Sequence, residues 1–181
     1  MRSKRWPICL VWFCGMLAAS SVAADGAGPG WTTVVVVRHA EKADSGSDPA
    51  LSEAGRARAE LLARQLIDLD VEAIYATQFL RTQQTAQPLA EQLDLEITVD
   101  TLGEDLEAAL RGIGERLLEE RAGQTVLVVG HSNTVPALIE ALGVGDAPPL
   151  TDSDYDDLFV VTVSPAGEAG MLHLHYGARS P

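Results

Sequence analysis

His39 and His131 stand in matching places in the chain. Each lies two residues beyond a continuous apolar run, Thr33 to Val37 for the first and Thr125 to Val129 for the second, in the contexts Arg38-His39-Ala40-Glu41-Lys42 and Gly130-His131-Ser132-Asn133. Such β-branched runs suit strands buried on both faces, and in open α/β sheets ligands bind beyond the carboxyl ends of the strands. If the two strands are parallel neighbours, both imidazoles reach one rim. Arg38 directly precedes His39, and Arg81 follows Ala76-Thr77-Gln78-Phe79-Leu80 early in a helical stretch. The valines before Arg38 place its guanidinium near the core, where it needs an anionic partner. Two arginines and two histidines at one rim form a compact positive pocket. A tetrahedral dianion such as a phosphoryl group fits it, because arginine forks pair bidentately with phosphate.

That pocket is an exception in an acidic chain. The 181 residues carry 13 Lys+Arg against 26 Asp+Glu, a formal charge of −13, which repels polyanions and argues against nucleic-acid binding. At 46% hydrophobic residues the chain is not disordered, and its length allows one compact domain. Arg2, Lys4 and Arg5, the apolar run Ile8 to Ala19 and the small residues Ser21-Val22-Ala23-Ala24 resemble a secretory signal peptide over residues 1–24. An uncleaved anchor is the alternative, since Trp6 to Ala24 carries no charge. The expected organisation is a signal peptide at 1–24, a linker at 25–32 and a domain at 33–181. The expected location is periplasmic or secreted, with no stable membrane association after cleavage. Residues 25–181 keep 10 basic and 26 acidic residues, a net charge of −16, with Lys42 the single lysine. Cys9 and Cys14 both fall in the leader, so the domain has no disulfide, thiolate metal site or cysteine nucleophile.

The elements that must position the pocket alternate along the chain. Ser52 caps a helix with Ala59, Leu62, Leu66 and Leu69 on one face. A short strand, Ala73 to Ala76, precedes a helix from Phe79 whose Ala86, Leu89, Ala90 and Leu93 share a face and whose interior Pro88 should kink it. Ile97 to Val99 reads as a weak strand. Leu106, Leu110, Ile113 and Leu117 mark a third helix despite Gly112 and Gly114. Val135, Leu138, Ile139 and Leu142 mark a fourth, ended by Gly143. The order predicts an α/β three-layer sandwich, a mostly parallel central sheet with helices on both faces. Leu158 to Val163 and Met171 to Tyr176 should form a C-terminal antiparallel pair. Between them and the fourth helix lies an acidic loop, Gly145 to Asp157.

Four blocks resemble the histidine phosphatase superfamily, the phosphoglycerate mutase-like group, in its order and spacing. They are Arg38-His39-Ala40-Glu41; Leu51-Ser52-Glu53-Ala54-Gly55 with Arg58-Ala59; Tyr75-Ala76-Thr77 leading to Arg81-Thr82 and Thr85-Ala86; and Gly130-His131-Ser132. The resemblance implies that His39 attacks phosphorus to form a phosphohistidine that water hydrolyses, while Arg38, Arg81 and His131 hold the equatorial oxygens. An attacking imidazole must be neutral, which neighbouring cations favour, and its other ring nitrogen should donate to a backbone carbonyl. For the acid that protonates the leaving group, the nearest match is Glu104 in Thr101-Leu102-Gly103-Glu104-Asp105, with Glu41 as runner-up. Glu104 and Asp105 read equally well as acids at a helix N-terminus. The shortest members of the family dispense with this acid.

The reading is therefore an exported, metal-independent phosphomonoester hydrolase without a cofactor, acting on a small phosphorylated substrate. By analogy with exported members, an envelope phosphosugar is the expected class. The alternatives are a phosphosugar mutase, disfavoured by the short stretch between Arg81 and His131, and a module that binds phosphate esters without turnover. Asp152, Asp154 and Asp156 recur like the start of a calcium loop, but Asp157 and Val163 stand where such a loop needs Gly and Glu. His173 and His175 share a strand face, as a metal pair would, but a half-exposed terminal strand accounts for them. The acidic loop, through Tyr155-Asp156-Asp157-Leu158-Phe159, could border the pocket and filter substrates.

Overall fold

A computed structural model describes residues 30–180. The leader and most of the linker assigned from sequence lie outside the described residues. In chain order the elements are β1 (Thr32–Arg38), α1 (Glu53–Leu66), β2 (Val71–Thr77), α2 (Leu80–Leu93), β3 (Ile97–Asp100), α3 (Leu106–Glu120), β4 (Thr125–Gly130), α4 (Thr134–Ala141), β5 (Asp157–Val163) and β6 (Ala169–His175). Every expected element is present. The first strand begins at Thr32, one residue inside the expected linker, and Thr32 is buried.

The strands form one six-stranded sheet in the order β3-β2-β4-β1-β5-β6. The first four in that order run parallel, and β5 and β6 close the edge antiparallel. Alternation of side chains along β1 and β4 sends them to two cores. Val34, Val36, Val126 and Val128 meet α3 and α4 through Leu110, Leu117, Leu138 and Ile139. Val35, Val37, Leu127 and Val129 meet α1 and α2 through Leu62, Leu66, Ala86 and Leu89. This two-sided burial is why both strands read as unbroken apolar runs, and each buried valine is worth roughly 1.5 to 3 kcal/mol. Ser52 does cap α1, accepting from the Gly55 amide at 3.0 Å. Gly114, costly to α3 in isolation, allows close packing on α4, since a Cβ there would lie 3.2 Å from that of Ala141.

The register places the site. Arg38 pairs with Gly130 across β1 and β4, so the residues that follow, His39 and His131, leave the sheet side by side. Thr77 ends β2 on the other flank of β4, and Asp157 begins β5 on the other flank of β1.

Candidate active site

The turn after β1 is held from two elements. The His39 amide donates to the Gly130 carbonyl at 2.9 Å, and the Ala40 amide donates to the Thr85 hydroxyl of α2 at 2.9 Å. His39 Nδ1 donates to the Ala40 carbonyl at 2.7 Å, which leaves Nε2 with a free lone pair. Burial holds the imidazole far below its usual pKa, at about 3, with Arg38, His131 and Arg81 lowering it further against the opposing Ala40 hydrogen bond. At neutral pH His39 is uncharged, in a cationic setting.

His131 lies beside it, ring centroids 5.3 Å apart. Its amide donates to Thr134 Oγ1 at 2.7 Å, and a Cβ on Gly130 would fall 2.6 Å from that hydroxyl, so glycine is required where the strand turns into α4. Arg81 Nη2 approaches His131 Nδ1 at 3.4 Å. Because arginine can only donate, Nδ1 is the acceptor and Nε2 carries the proton. Nε2 donates to Thr77 Oγ1 at 2.9 Å, and Thr77 donates to Thr82 Oγ1 at 2.9 Å, whose hydroxyl ends on the Phe79 carbonyl at 2.8 Å. Burial again is the main cause of a low pKa, about 4, with Arg81, Arg38 and Lys42 adding to it.

Arg38 is 2% exposed. The anionic partner expected from the sequence is replaced within the chain by two carbonyls: Nη1 donates to Thr151 at 2.8 Å and to Asp154 at 3.1 Å, and the guanidinium lies 4.1 Å over the Tyr155 ring. The carboxylate nearest it, Asp152, is 3.8 Å away and almost fully exposed. Among the described residues, Arg38 Nε and Arg81 Nε and Nη1 are buried without hydrogen-bond partners. Asp48 approaches Arg81 Nη1 at 3.7 Å, and the guanidinium rests 4.5 Å from the Phe79 ring. Arg38, His39, Arg81, His131 and Lys42 line a single cleft of about 310 Å³, with Phe79, Leu102 and Leu106 as its apolar wall and Ser132, Asn133, Thr134 and Asp152 at the start of α4 and the loop opposite. Idle buried donors beside two neutral imidazoles make this a site for an anion.

The four residues expected at the rim are thus together, and the acidic loop does border them. The proton donors expected from sequence are not in the cleft wall. Glu104 is exposed, between the lining residues Leu102 and Leu106 but not itself lining. Asp105 caps α3, accepting from the Ala108 amide at 3.0 Å. Glu41 is committed elsewhere: Arg58 donates to it from Nε at 3.0 Å and Nη2 at 2.7 Å, and uses Nη1 and Nη2 on the carbonyls of Tyr176 and Ala178. Thr77 and Thr82, which set the His131 tautomer, were not singled out for chemistry, although Thr77 ends a strand at the same rim. Asp48 and the stacking of Tyr155 gave no local signal.

Comparison with known proteins agrees with this geometry. A family model described as histidine phosphatase superfamily (branch 1) matches residues 34–104, the stretch with Arg38, His39 and Arg81. The 8-oxo-(d)GTP phosphatase of Mycolicibacterium smegmatis is 35% identical over 118 residues, 60% of this chain and 36% of that protein. The chain thus spans only about a third of that relative's length. Among solved structures, the protein histidine phosphatase SixA complexed with tungstate aligns at a TM-score of 0.64 and 23% identity, over 79% of this chain and 96% of that one. Mycobacterial glucosyl-3-phosphoglycerate phosphatase aligns at 0.62 and 17% identity, over 82% and 99%. These two share the fold. With the matched sequence blocks and the paired imidazoles at the ends of β1 and β4, the chain is similar to the histidine phosphatase superfamily over residues 34–104 and shares its fold.

Proposed function

We propose that the protein is a phosphomonoester hydrolase that works through a phosphohistidine on His39. The observation that carries this reading is the free Nε2 lone pair of a buried, neutral His39 facing a cleft whose arginines have unpartnered N–H groups. Nε2 attacks phosphorus in line, the Nε2–P bond forms and the ester P–O bond breaks. Arg38 and Arg81 hold the equatorial oxygens as charge builds. With the dianion bound, the Arg81 fork turns to its oxygens, and Thr77 can reverse to donate to His131 Nε2. That puts the imidazole proton on Nδ1, beside Arg81, where it joins the oxygen-holding set. Water then attacks the phosphohistidine and releases phosphate, restoring the lone pair.

The leaving oxygen needs a proton unless it is a stable anion. Glu104 is the donor proposed for this step: it lies outside the cleft wall but between its lining residues Leu102 and Leu106, and its exposed side chain has to swing toward the leaving oxygen when substrate binds. Asp152 is the competing donor, favoured by its place in the wall and by the Ser132 hydroxyl 3.3 Å away. A cleft of this size takes a small phosphorylated molecule. The leader-like residues 1–24 support export to a periplasm or outside the cell, with an envelope phosphosugar as the proposed substrate class. Of the named relatives, one is a phosphatase of 8-oxo-(d)GTP, one of glucosyl-3-phosphoglycerate and one is a protein histidine phosphatase.

The test is turnover with ³²P-labelled phosphomonoesters in EDTA, quenched in alkali because phosphohistidine is acid-labile. Label should appear on His39 in the wild type. His39→Ala should bind vanadate, keep its fold by circular dichroism and lose all turnover; substantial activity in that variant removes the mechanism. Vanadate binding with no turnover on any ester would favour a phosphate-binding module instead.

A further inference from the structure

A second cluster of side chains lies on the same rim of the sheet, two strands from His39, and the hydrolase reading makes no use of it. Antiparallel pairing sets Asp157 of β5 opposite His175 of β6 and Phe159 opposite His173, so these side chains share one face. His173 Nε2 meets Asp157 Oδ1 at 2.5 Å. His175 Nδ1 is 3.3 Å from Asp156 Oδ2 and 3.5 Å from Asp157 Oδ1. The Phe159 ring stacks on His173 at 4.5 Å and fixes its orientation. Asp156 Oδ1 is occupied by the Ser180 amide at 3.1 Å, which leaves Oδ2 for His175.

The charge of this cluster is the feature that calls for a ligand. The Asp156 and Asp157 side chains are only 7% and 9% exposed, and they are consecutive in a domain that is already strongly acidic. Arg58, whose field reaches Asp156, is engaged by Glu41. The two buried carboxylates bring two negative charges to one spot, and the imidazoles beside them offer nitrogen donors. A divalent cation cancels that charge and uses both kinds of donor. Two imidazole nitrogens with one carboxylate oxygen suit a borderline ion such as Zn²⁺, whose tetrahedral ligands at about 2.0 to 2.2 Å lie roughly 3.3 to 3.6 Å from one another. The His175–Asp157 separation of 3.5 Å already has that length. The Asp157–His173 contact is a hydrogen bond, and it must open by about 1 Å when the ion replaces its proton.

We propose that His173, His175 and Asp157, whose ligand atoms lie within 4.8 Å of one another, bind a divalent transition-metal ion of the zinc class, with water in the fourth position. The strand pair His173/His175 alone is accounted for by a half-exposed terminal strand; the two buried aspartates opposite it are what the fold adds. The ion ties the edge strand β6 to the end of the acidic loop, next to Tyr155, whose ring covers Arg38. It sits outside the phosphate cleft, and the chemistry proposed there does not need it.

The full chain, prepared without a histidine tag, is titrated with ZnCl₂ by calorimetry, and phosphatase activity is followed in parallel. The expected result is one Zn²⁺ per chain, with His175→Gln and His173→Gln each weakening Kd by at least the 10- to 100-fold that outer-shell changes around a metal site cost. His175 is partly exposed, so its variant should fold and keep the EDTA-insensitive rate. Absence of saturable binding at 100 μM Zn²⁺, a round figure of about the order at which such a site would matter, overturns the proposal. So does stoichiometric binding that survives in both glutamine variants, because the ion then sits elsewhere, as in the His39–His131 cleft, where it would inhibit turnover.

Discussion

Arg81→Ala tests the cleft most directly, because Arg81 is bound to the rest of the chain by so little. Its Nε and Nη1 lack hydrogen-bond partners among the described residues, Asp48 is 3.7 Å away, and Nη2 reaches His131 only at 3.4 Å. The fold therefore loses little beyond the contact with Phe79, whereas a bound phosphoryl group loses a fork of charged donors. Removing one preorganised donor to developing charge costs about 2.7 to 4 kcal/mol, or about 10² to 10³ in kcat, and the dianionic ground state suffers too. Vanadate inhibition should weaken by at least tenfold, about 1.4 kcal/mol. Arg81→Lys should recover part of the binding but little of the rate, since it restores the charge without the fork. Arg81 is also the largest charge that lowers His131, after burial, so in the alanine variant the His131 titration followed by NMR should move up from about 4 toward 6.5. Unchanged vanadate inhibition together with an unmoved His131 titration would refute the assignment of Arg81 to the phosphate.

Further tests address the acid, the fold and pH. If Glu104 is the proton donor, Glu104→Gln should slow alkyl phosphates by about 10² to 10⁴-fold and leave p-nitrophenyl phosphate nearly unchanged; the same differential in Asp152→Asn instead moves the role to the acidic loop, and its absence from both, and from Glu41→Gln, marks an enzyme for substrates with good leaving groups. Arg58→Ala should destabilise the domain by about 3 to 5 kcal/mol in urea denaturation, because it strands the Glu41 carboxylate and frees the chain at Tyr176 and Ala178; a change under about 1 kcal/mol would show that the pair is not structural. His39 and His131 have folded pKa values of about 3 and about 4 against 6.5 unfolded, so between these limits the unfolded chain binds more protons. Stability is then full above pH 6.5 and falls as pH drops toward 4. The Tm measured across that window should flatten in His39→Ala; equal slopes in variant and wild type would contradict the burial of the neutral imidazole.

Much of this architecture is legible in the sequence because its determinants are local. Val34 to Val37 and Val126 to Val129 announce strands buried on both faces, and Ser52 announces the start of α1. The paired positions of His39 and His131 follow once β1 and β4 are parallel neighbours. What was not legible depends on contacts distant along the chain. Arg38 carries the right chemistry, yet its partners are the carbonyls of Thr151 and Asp154, more than a hundred residues away, and a backbone carbonyl has no residue-type signature. Glu41 reads as a possible acid two residues beyond His39; only the arrival of Arg58 from α1 commits it to an ion pair. Glu104 stands between two cleft residues without lining the cleft itself, a distinction set by loop geometry rather than composition.

The position of β1 between β4 and β5 also dictates the order in which a newly made chain can become competent. β1 is the first strand synthesised, but both of its neighbours come from the later part of the chain, β4 from Thr125 and β5 from Asp157. Until then its valines have no strand to pair with, and Arg38 has neither its carbonyl acceptors nor the Tyr155 ring. A chain ended at residue 150 should stay protease-sensitive and fail to bind vanadate, although it contains every residue of the phosphate cleft except Asp152. Such a delay fits the export proposed above, because the segment carrying His39 gains both of its neighbouring strands only once β5 has been made.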